Sequence, residues 1–304
     1  MADILVIKLG ALGDFVLATG AFAAIRAHHA GDRVTLLTTA PFADLARASG
    51  YFDAVWIDPR AKLHRLGAWL GLARRLRRAG FARIYDLQHS DRTRAYFRLL
   101  GRRRPEWSGI ALGCSHPHAN PDRDAMHTVE REAEQLLMAG IDAVPPPNLT
   151  WLDAEVGHFG LDGRFALLMP GGSAHRPEKR WPAAGYAALA DRLAARGTTP
   201  VMIGAEAERQ ALATIVRACP AARDLGGRTG LAEIVALARR AAVAVGNDTG
   251  PMHLAATAGC PSLVLFSDAS DPALTAPRGP SVTVIARPSL AALSADEVMA
   301  ALPG

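Results

Sequence analysis

The sequence predicts an α/β protein of two doubly wound, Rossmann-like domains in tandem, facing across a shared cleft. Three observations predict it. Short β-branched runs alternate with alanine- and leucine-rich segments of helical period, which is the rhythm of parallel βαβ units. The rhythm stops at Val144-Pro145-Pro146-Pro147-Asn148 and then restarts; a triple proline continues neither a helix nor a central strand. The chain has 304 residues, half of them apolar, enough for two cores of ordinary size. The domains expected are 1–147 and 148–304.

In the first half the apolar run Ile4 to Leu9 reads as a strand, followed by a helix Phe15 to His28 of alanine-rich period. Val34 to Thr38 is a strand, Phe42 to Ala48 a helix and Ala54 to Ile57 a strand. A helix Leu63 to Ala79 follows, with Leu63, Leu66, Leu70, Ala73 and Leu76 as its apolar stripe. That stripe suits packing on the sheet, or lying on a membrane surface. Strand Arg83 to Leu87, helix Arg92 to Leu100, strand Trp107 to Ile110 and helix Thr128 to Ala139 complete the half. In the second half the strands are Phe165 to Met169, Pro200 to Gly204, Ala241 to Val245, Ser262 to Phe266 and Val282 to Ile285. The helices between and after them are Ala183 to Arg196, Glu206 to Ala218, Leu231 to Arg240, Met252 to Ala258 and Leu290 to Leu302. Ligands of such sheets sit beyond the carboxyl ends of the strands, so the loops there carry the functional expectation.

Composition excludes several classes. No segment approaches the roughly 18 to 20 apolar residues that span a bilayer, and no basic leader precedes an apolar core, so the chain reads as cytosolic. Cys114, Cys219 and Cys260 are far apart with no CxxC, which suits reduced structural thiols. Cys114, His116 and His118 match no closed four-ligand zinc pattern, and no metal is expected. The net charge of +5 conceals a basic stretch: from Arg60 to Arg104 there are fourteen Lys and Arg against Asp86 and Asp91 alone. Such a stretch either forms a solvated face or draws an anionic partner, such as nucleic acid, lipid headgroups or a phosphorylated glycolipid. Nucleic acid is not expected, because no aromatic stacking platform accompanies the charge.

Four loops carry chemistry. In Lys8-Leu9-Gly10-Ala11-Leu12-Gly13-Asp14 two glycines turn a strand into a helix, and Asp14, at the helix N-cap or in its first turn, reads either as a plain cap or as a carboxylate presented at the cleft. GxxGD is not the dinucleotide fingerprint GxGxxG, which argues against a dehydrogenase. Pro170-Gly171-Gly172-Ser173 and Lys179 supply amides, a hydroxyl and an ammonium suited to phosphate. Glu206, opening a helix, reads either as a partner of the helix dipole or as a ligand of ribose hydroxyls. In Asn247-Asp248-Thr249-Gly250-Pro251-Met252-His253, Pro251 suits a first helical turn whose open amides at Thr249 and Gly250 hold a diphosphate. His253 reads as a core histidine or as a ligand.

With these four loops in this order, the sequence resembles the heptosyltransferases of glycosyltransferase family 9. The resemblance covers nearly the whole chain and rests on ILVIKLGALGD, PGGSAHRPEKRWP, GAEAE, LGGRTGLAEIVALARRA and VGNDTGPMHLAA. It implies a GT-B fold and an inverting enzyme that moves heptose from ADP-heptose to a hydroxyl of a lipopolysaccharide inner-core acceptor, without a metal or other cofactor. Asp14 is then the general base and Lys179 the phosphate-binding lysine. Ser173 belongs to the phosphate loop and Glu206 binds ribose. Thr229 stands near the adenine-reading turn, and Asp248, Thr249 and Gly250 contact diphosphate and sugar with His253 behind them. Lys8 and the basic stretch meet the acceptor's anions, with the inner-membrane surface as a further contact, and Gly13 lets the acceptor approach the backbone. Ala174 and Asn247 depart from the family's pattern, which leaves open another nucleotide sugar, another acceptor or a non-catalytic sugar-nucleotide binder.

Overall fold

Nearly continuous apolar runs are what strands need when a sheet is covered by helices on both faces. The computed structural model describes residues 1–62, 65–101, 104–172 and 175–303. It divides into two compact units, Met1–Pro147 and Asn148–Gly304. In the first unit the chain runs β1 (Asp3–Ile7), α1 (Leu12–Leu17), α2 (Thr19–His28), β2 (Arg33–Thr38), α3 (Ala43–Ala48) and β3 (Ala54–Ile57). It continues through α4 (Leu66–Ala79), β4 (Arg83–Asp86), α5 (Asp91–Leu99), β5 (Glu106–Gly109), β6 (His116–Pro117) and α6 (Thr128–Met138). All strand pairs are parallel, in the order β3-β2-β1-β4-β5-β6.

The second unit contains β7 (Phe165–Met169), α7 (Ala183–Ala195), β8 (Thr199–Met202), α8 (Arg209–Ala218), β9 (Arg223–Asp224) and α9 (Leu231–Arg240). β10 (Val243–Asn247), α10 (Gly250–Thr257), β11 (Ser262–Phe266), α11 (Pro272–Thr275), β12 (Val282–Ala286) and α12 (Ala295–Ala300) follow. Its parallel order is β12-β11-β10-β7-β8-β9. Each sheet therefore reverses direction once, between β1 and β4 and between β7 and β10. These are the topological switch points, where adjacent loops diverge and leave a crevice.

Several elements depart from the sequence expectation, each for a local reason. The helix expected over Phe15 to His28 is two helices broken at Ala18, where the Thr19 hydroxyl donates to the Val16 carbonyl at 2.7 Å; such back-bonding perturbs a helix. Leu63 lies outside the described residues. The buried face of α4 is Trp69, Ala73 and Leu76, while Leu70 is 58% exposed. The apolar stripe thus passes through the tryptophan, whose indole donates to the Lys62 carbonyl at 3.3 Å. The terminal helix begins at Ala295, because Ser294 and Glu297 close a reciprocal capping box of 3.2 and 3.0 Å. β6, β9 and α11 are too short to leave a periodicity.

The proline segment is part of the first unit's packing. A Cβ on Gly20 of α2 would lie 2.0 Å from the Pro145 carbonyl oxygen. Gly20→Ala is therefore expected to destabilise the protein by about 1–3 kcal/mol through overpacking, read as a lower urea midpoint, while Gly31→Ala, which meets nothing within 4 Å, leaves that midpoint nearly unchanged.

Candidate functional site

In the second unit the switch point is organised by Asn247, the last residue of β10 and fully buried. Its Oδ1 accepts from the Trp181 backbone N–H at 2.9 Å and the Tyr186 hydroxyl at 3.0 Å. Its Nδ2 donates to the carbonyls of Pro170 and Gly171, both at 2.9 Å. One amide thus fastens the loop after β7 and the entry to α7 to the end of β10. Sequence reasoning treated this asparagine as a departure and missed the role, although a buried amide with matched donors and acceptors is a strong specifier of local structure.

The next residue completes the site. Lys179 Nζ lies 2.6 Å from Asp248 Oδ2, and both side chains are nearly buried. His253 Nε2 stands 3.9 Å from Asp248 Oδ1. Burial alone would raise the Asp248 pKa, but His253 and the Lys179 ammonium hold it down to about 2. Thr249 is the residue before α10, and Gly250 and Pro251 form its first turn. The Thr249 hydroxyl oxygen and His253 Nδ1 are buried with no hydrogen-bond partner among the described residues. Buried polar atoms are seldom left unpaired, so this pair of orphans beside a helix N-terminus makes the spot a candidate for an anionic ligand.

Lys179, Asp248, Thr249, Gly250 and His253 are thus brought together. Ser173 and its neighbour Ala174 lie outside the described residues. Glu206 and Thr229 sit further along the same carboxyl edge, after β8 and β9. Glu206 is exposed, with both oxygens 2.7 Å from Arg209. It does not cap its own turn: Glu208 does so, accepting from the Ala205 N–H at 2.5 Å. Gly227, at φ +69, donates its N–H to the Gly204 carbonyl at 2.8 Å, and a Cβ there would stand 3.0 Å from Glu206 Oε2. The turn Leu225–Arg228, which Thr229 follows, is thereby folded against Glu206. From β10 across β7 and β8 to β9 the edge measures roughly 14 Å at ordinary strand spacing, an extent that suits an elongated ligand with an anionic end.

In the first unit the Leu9 N–H donates to Gln88 Oε1 at 2.6 Å, and the Leu9 carbonyl accepts from Thr39 Oγ1 at 3.1 Å. The turn is made by Gly10, at φ +115, where a Cβ would stand 2.4 Å from the Phe42 ring. Gly13 is not part of it: it is buried as the second residue of α1. Asp14 is the third residue of α1 and not its N-cap, half-buried, and it accepts from the Ala11 N–H at 3.1 Å. Among the described residues only one of its oxygens is committed, to that loop amide.

Lys8 corrects an expectation. It is buried, with Nζ donating to Glu132 Oε1 at 2.6 Å and to the Leu87 carbonyl at 3.0 Å, so its charge is matched inside the unit and does not reach a bound anion directly. Part of the basic stretch is also engaged within the unit, although most of its described residues are exposed. Arg83 pairs with Glu106 at 2.6 Å, Arg92 with Asp58 at 3.4 Å, and Arg75 lies 3.8 Å over the Trp56 ring. Arg102 and Arg103 lie outside the described residues. His116 and His118 turn to different carboxylates, Glu106 and Glu134, and among the described residues no three metal-ligating side chains are gathered.

The sequence profile described as Glycosyltransferase family 9 (heptosyltransferase) matches residues 124–299. Among curated proteins, lipooligosaccharide heptosyltransferase 2 of Haemophilus influenzae is 33% identical over 119 residues, 38% of this chain and 34% of that protein. Lipopolysaccharide heptosyltransferase 2 of Salmonella typhimurium is 34% identical over 155 residues, 46% of this chain and 44% of that protein. The aligned part therefore spans less than half the length of these curated relatives. Among solved structures, the ADP-heptose lps heptosyltransferase II of E. coli superposes with a TM-score of 0.77 at 20% identity, over 98% of this chain and 96% of that one. A family 9 glycosyl transferase from Veillonella parvula superposes with a TM-score of 0.83 at 20% identity, over 99% and 95%. At that identity the likeness is one of fold, two doubly wound domains of the GT-B class.

Asp248 supplies a test of the geometry that needs no ligand. Its folded pKa lies below the usual value of 3.8, so its contribution to stability is complete above about pH 4 and is lost as pH falls through about 2. The contribution is about 2 kcal/mol. The gap between wild-type and Asp248→Asn urea midpoints is expected to be widest at pH 5 to 7 and to narrow steadily from pH 4 downward.

Proposed function

The chain belongs to glycosyltransferase family 9, and from that premise we propose that it is an inverting, metal-independent transferase moving heptose from ADP-heptose to a hydroxyl of a lipopolysaccharide inner-core acceptor. The observation that carries the proposal is the grouping of Lys179, Asp248, Thr249 and the N-terminus of α10 at the second unit's switch point. An ammonium, an unpaired hydroxyl and open helix amides are the donors a diphosphate needs. Asp248, ionised at any physiological pH, is an acceptor for the hydroxyls of the donor sugar and cannot itself hold the phosphates.

Further along the edge, Glu206 takes the ribose hydroxyls and the turn at Thr229 meets the base. The reaction needs a base for the attacking hydroxyl, and Asp14 has one carboxylate oxygen held by the Ala11 amide and the other left for that proton. As the bond to the anomeric carbon forms from the face opposite ADP, charge grows on the departing diphosphate. Lys179 and the α10 amides stabilise it, the kind of preorganised electrostatic contribution that usually dominates.

Four measurements test the assignment. Asp14→Ala is expected to lower transfer by roughly 10²- to 10⁴-fold while calorimetric ADP affinity changes less than about twofold; equal loss of both would make the carboxylate a nucleotide ligand or a structural group. Lys179→Ala should weaken ADP binding by about tenfold or more, and an unchanged titration removes it from the site. Activity is expected to survive EDTA. A titration panel of ADP, ADP-heptose and UDP-sugars decides the donor, and tight UDP-sugar binding would replace heptose by another sugar.

A further inference from the structure

The function proposed for Asp14 leaves a buried ion pair beside it unused. Lys8, the residue after β1, and Glu132, on α6, are each almost wholly buried, and they meet at 2.6 Å. The remaining carboxylate oxygen of Glu132 is buried with no hydrogen-bond partner among the described residues. Removing two charges from water is costly, and a hydrophobic pair of similar volume stabilises a fold as well or better. A buried pair with one lone oxygen is therefore weak evidence for stability and asks for another reason.

Location supplies it. Lys8 is followed directly by the loop Leu9 to Ala11, which leads into the first turn of α1 where Asp14 sits, and α6 packs against both α1 and α2. Burial raises the Glu132 pKa, Lys8 lowers it, and the negative charge of Asp14 raises it again. The two carboxylates therefore act on each other with the Lys8 ammonium beside Glu132. The other charged or titratable neighbours are Arg131 on α6, Asp86 at the end of β4 and His89 in the segment that follows it. Burial pushes Asp86 up to about 6 and His89 down to about 3. Lys8 acts electrostatically on both, lowering each.

We propose that Glu132 is a positioning residue for Asp14: by neutralising Lys8 it anchors the loop that leads to the base, and it keeps an uncompensated ammonium from weakening that base. The inference rests on the reading of Asp14 as the base. If Glu132 is made neutral, Lys8 stays charged and favours the Asp14 carboxylate, so its pKa falls and it takes a proton less readily. Replacing Lys8 at the same time removes the cause and restores the original value.

The experiment follows the side-chain carboxyl carbon of Asp14 by NMR titration of the full chain with labelled aspartate, the resonance being assigned by its loss in Asp14→Asn. In Glu132→Gln its midpoint is expected about 1 pH unit lower, and in Lys8→Met/Glu132→Gln it returns to the wild-type value. Glu132→Asp keeps the charge but withdraws it from Lys8, so it moves the midpoint the same way by less; it carries the test should the Gln variant not fold. Alongside, Glu132→Gln lowers kcat about three- to tenfold with donor KM nearly unchanged. An unmoved midpoint in the folded Glu132 variants overturns the inference. Full transfer activity in Asp14→Asn overturns the reading beneath it instead.

Discussion

The buried side-chain amide of Asn247 is the constraint on which the second unit's site depends. An asparagine carries two donors and two acceptor lone pairs, and here all four are used, on Trp181, Tyr186, Pro170 and Gly171. In a low-dielectric interior such a network is stable only when complete. The end of β10 and the loops on either side of α7's entry are then not independently mobile: a displacement of any one strands a polar group. Trp181 adds a second tie, its indole N–H donating to the Leu293 carbonyl at 2.9 Å. The 2.6 Å approach of Lys179 to Asp248 follows from this frame, since each is within two residues of a group that Asn247 holds or of Asn247 itself.

The first unit uses charge differently. Its less exposed cations are taken up by its own carboxylates and aromatic rings, with Lys8 on Glu132, Arg83 on Glu106, and Arg92 between Asp58 and the Trp69 ring. Desolvating a guanidinium or an ammonium demands such partners. Most of the basic stretch is nevertheless exposed, with Arg74, Arg75, Arg77 and Arg78 on α4 and Arg60, Lys62, Arg65, Arg98 and Arg104 on either side of it.

Much of the architecture was legible because parallel strands covered on both faces read as unbroken apolar runs, and Ala54–Ile57, Phe165–Met169 and Ser262–Phe266 stand where those runs stand. What was not legible depended on partners distant in the chain. Thr19 breaks a helix through a hydroxyl bond that composition does not announce. Leu70 belongs to the apolar stripe in a helical projection, yet Trp69 fills the space under α4. In the site, the residues on motif loops were legible as a set, because glycine, proline and an acid at a strand's end have few other uses. Their division of labour was not. Lys8 looked like a ligand for anions until a carboxylate 124 positions later proved to be its partner, and Asn247 looked incidental until four groups converged on it.

The pairing of Lys179 with Asp248 also bears on what the site ignores. A lone ammonium at a helix N-terminus attracts any small anion, and orthophosphate is abundant wherever nucleotides are used. Here the ammonium already has a carboxylate, so an incoming oxyanion must share Lys179 with Asp248 and tolerate that negative charge at close range. Orthophosphate has only the diphosphate end of the edge to gain from. If the function proposed above holds, a molecule that also reaches Glu206 and Thr229 recovers far more, and the ion pair then acts as a filter that favours long ligands over short ones of the same charge.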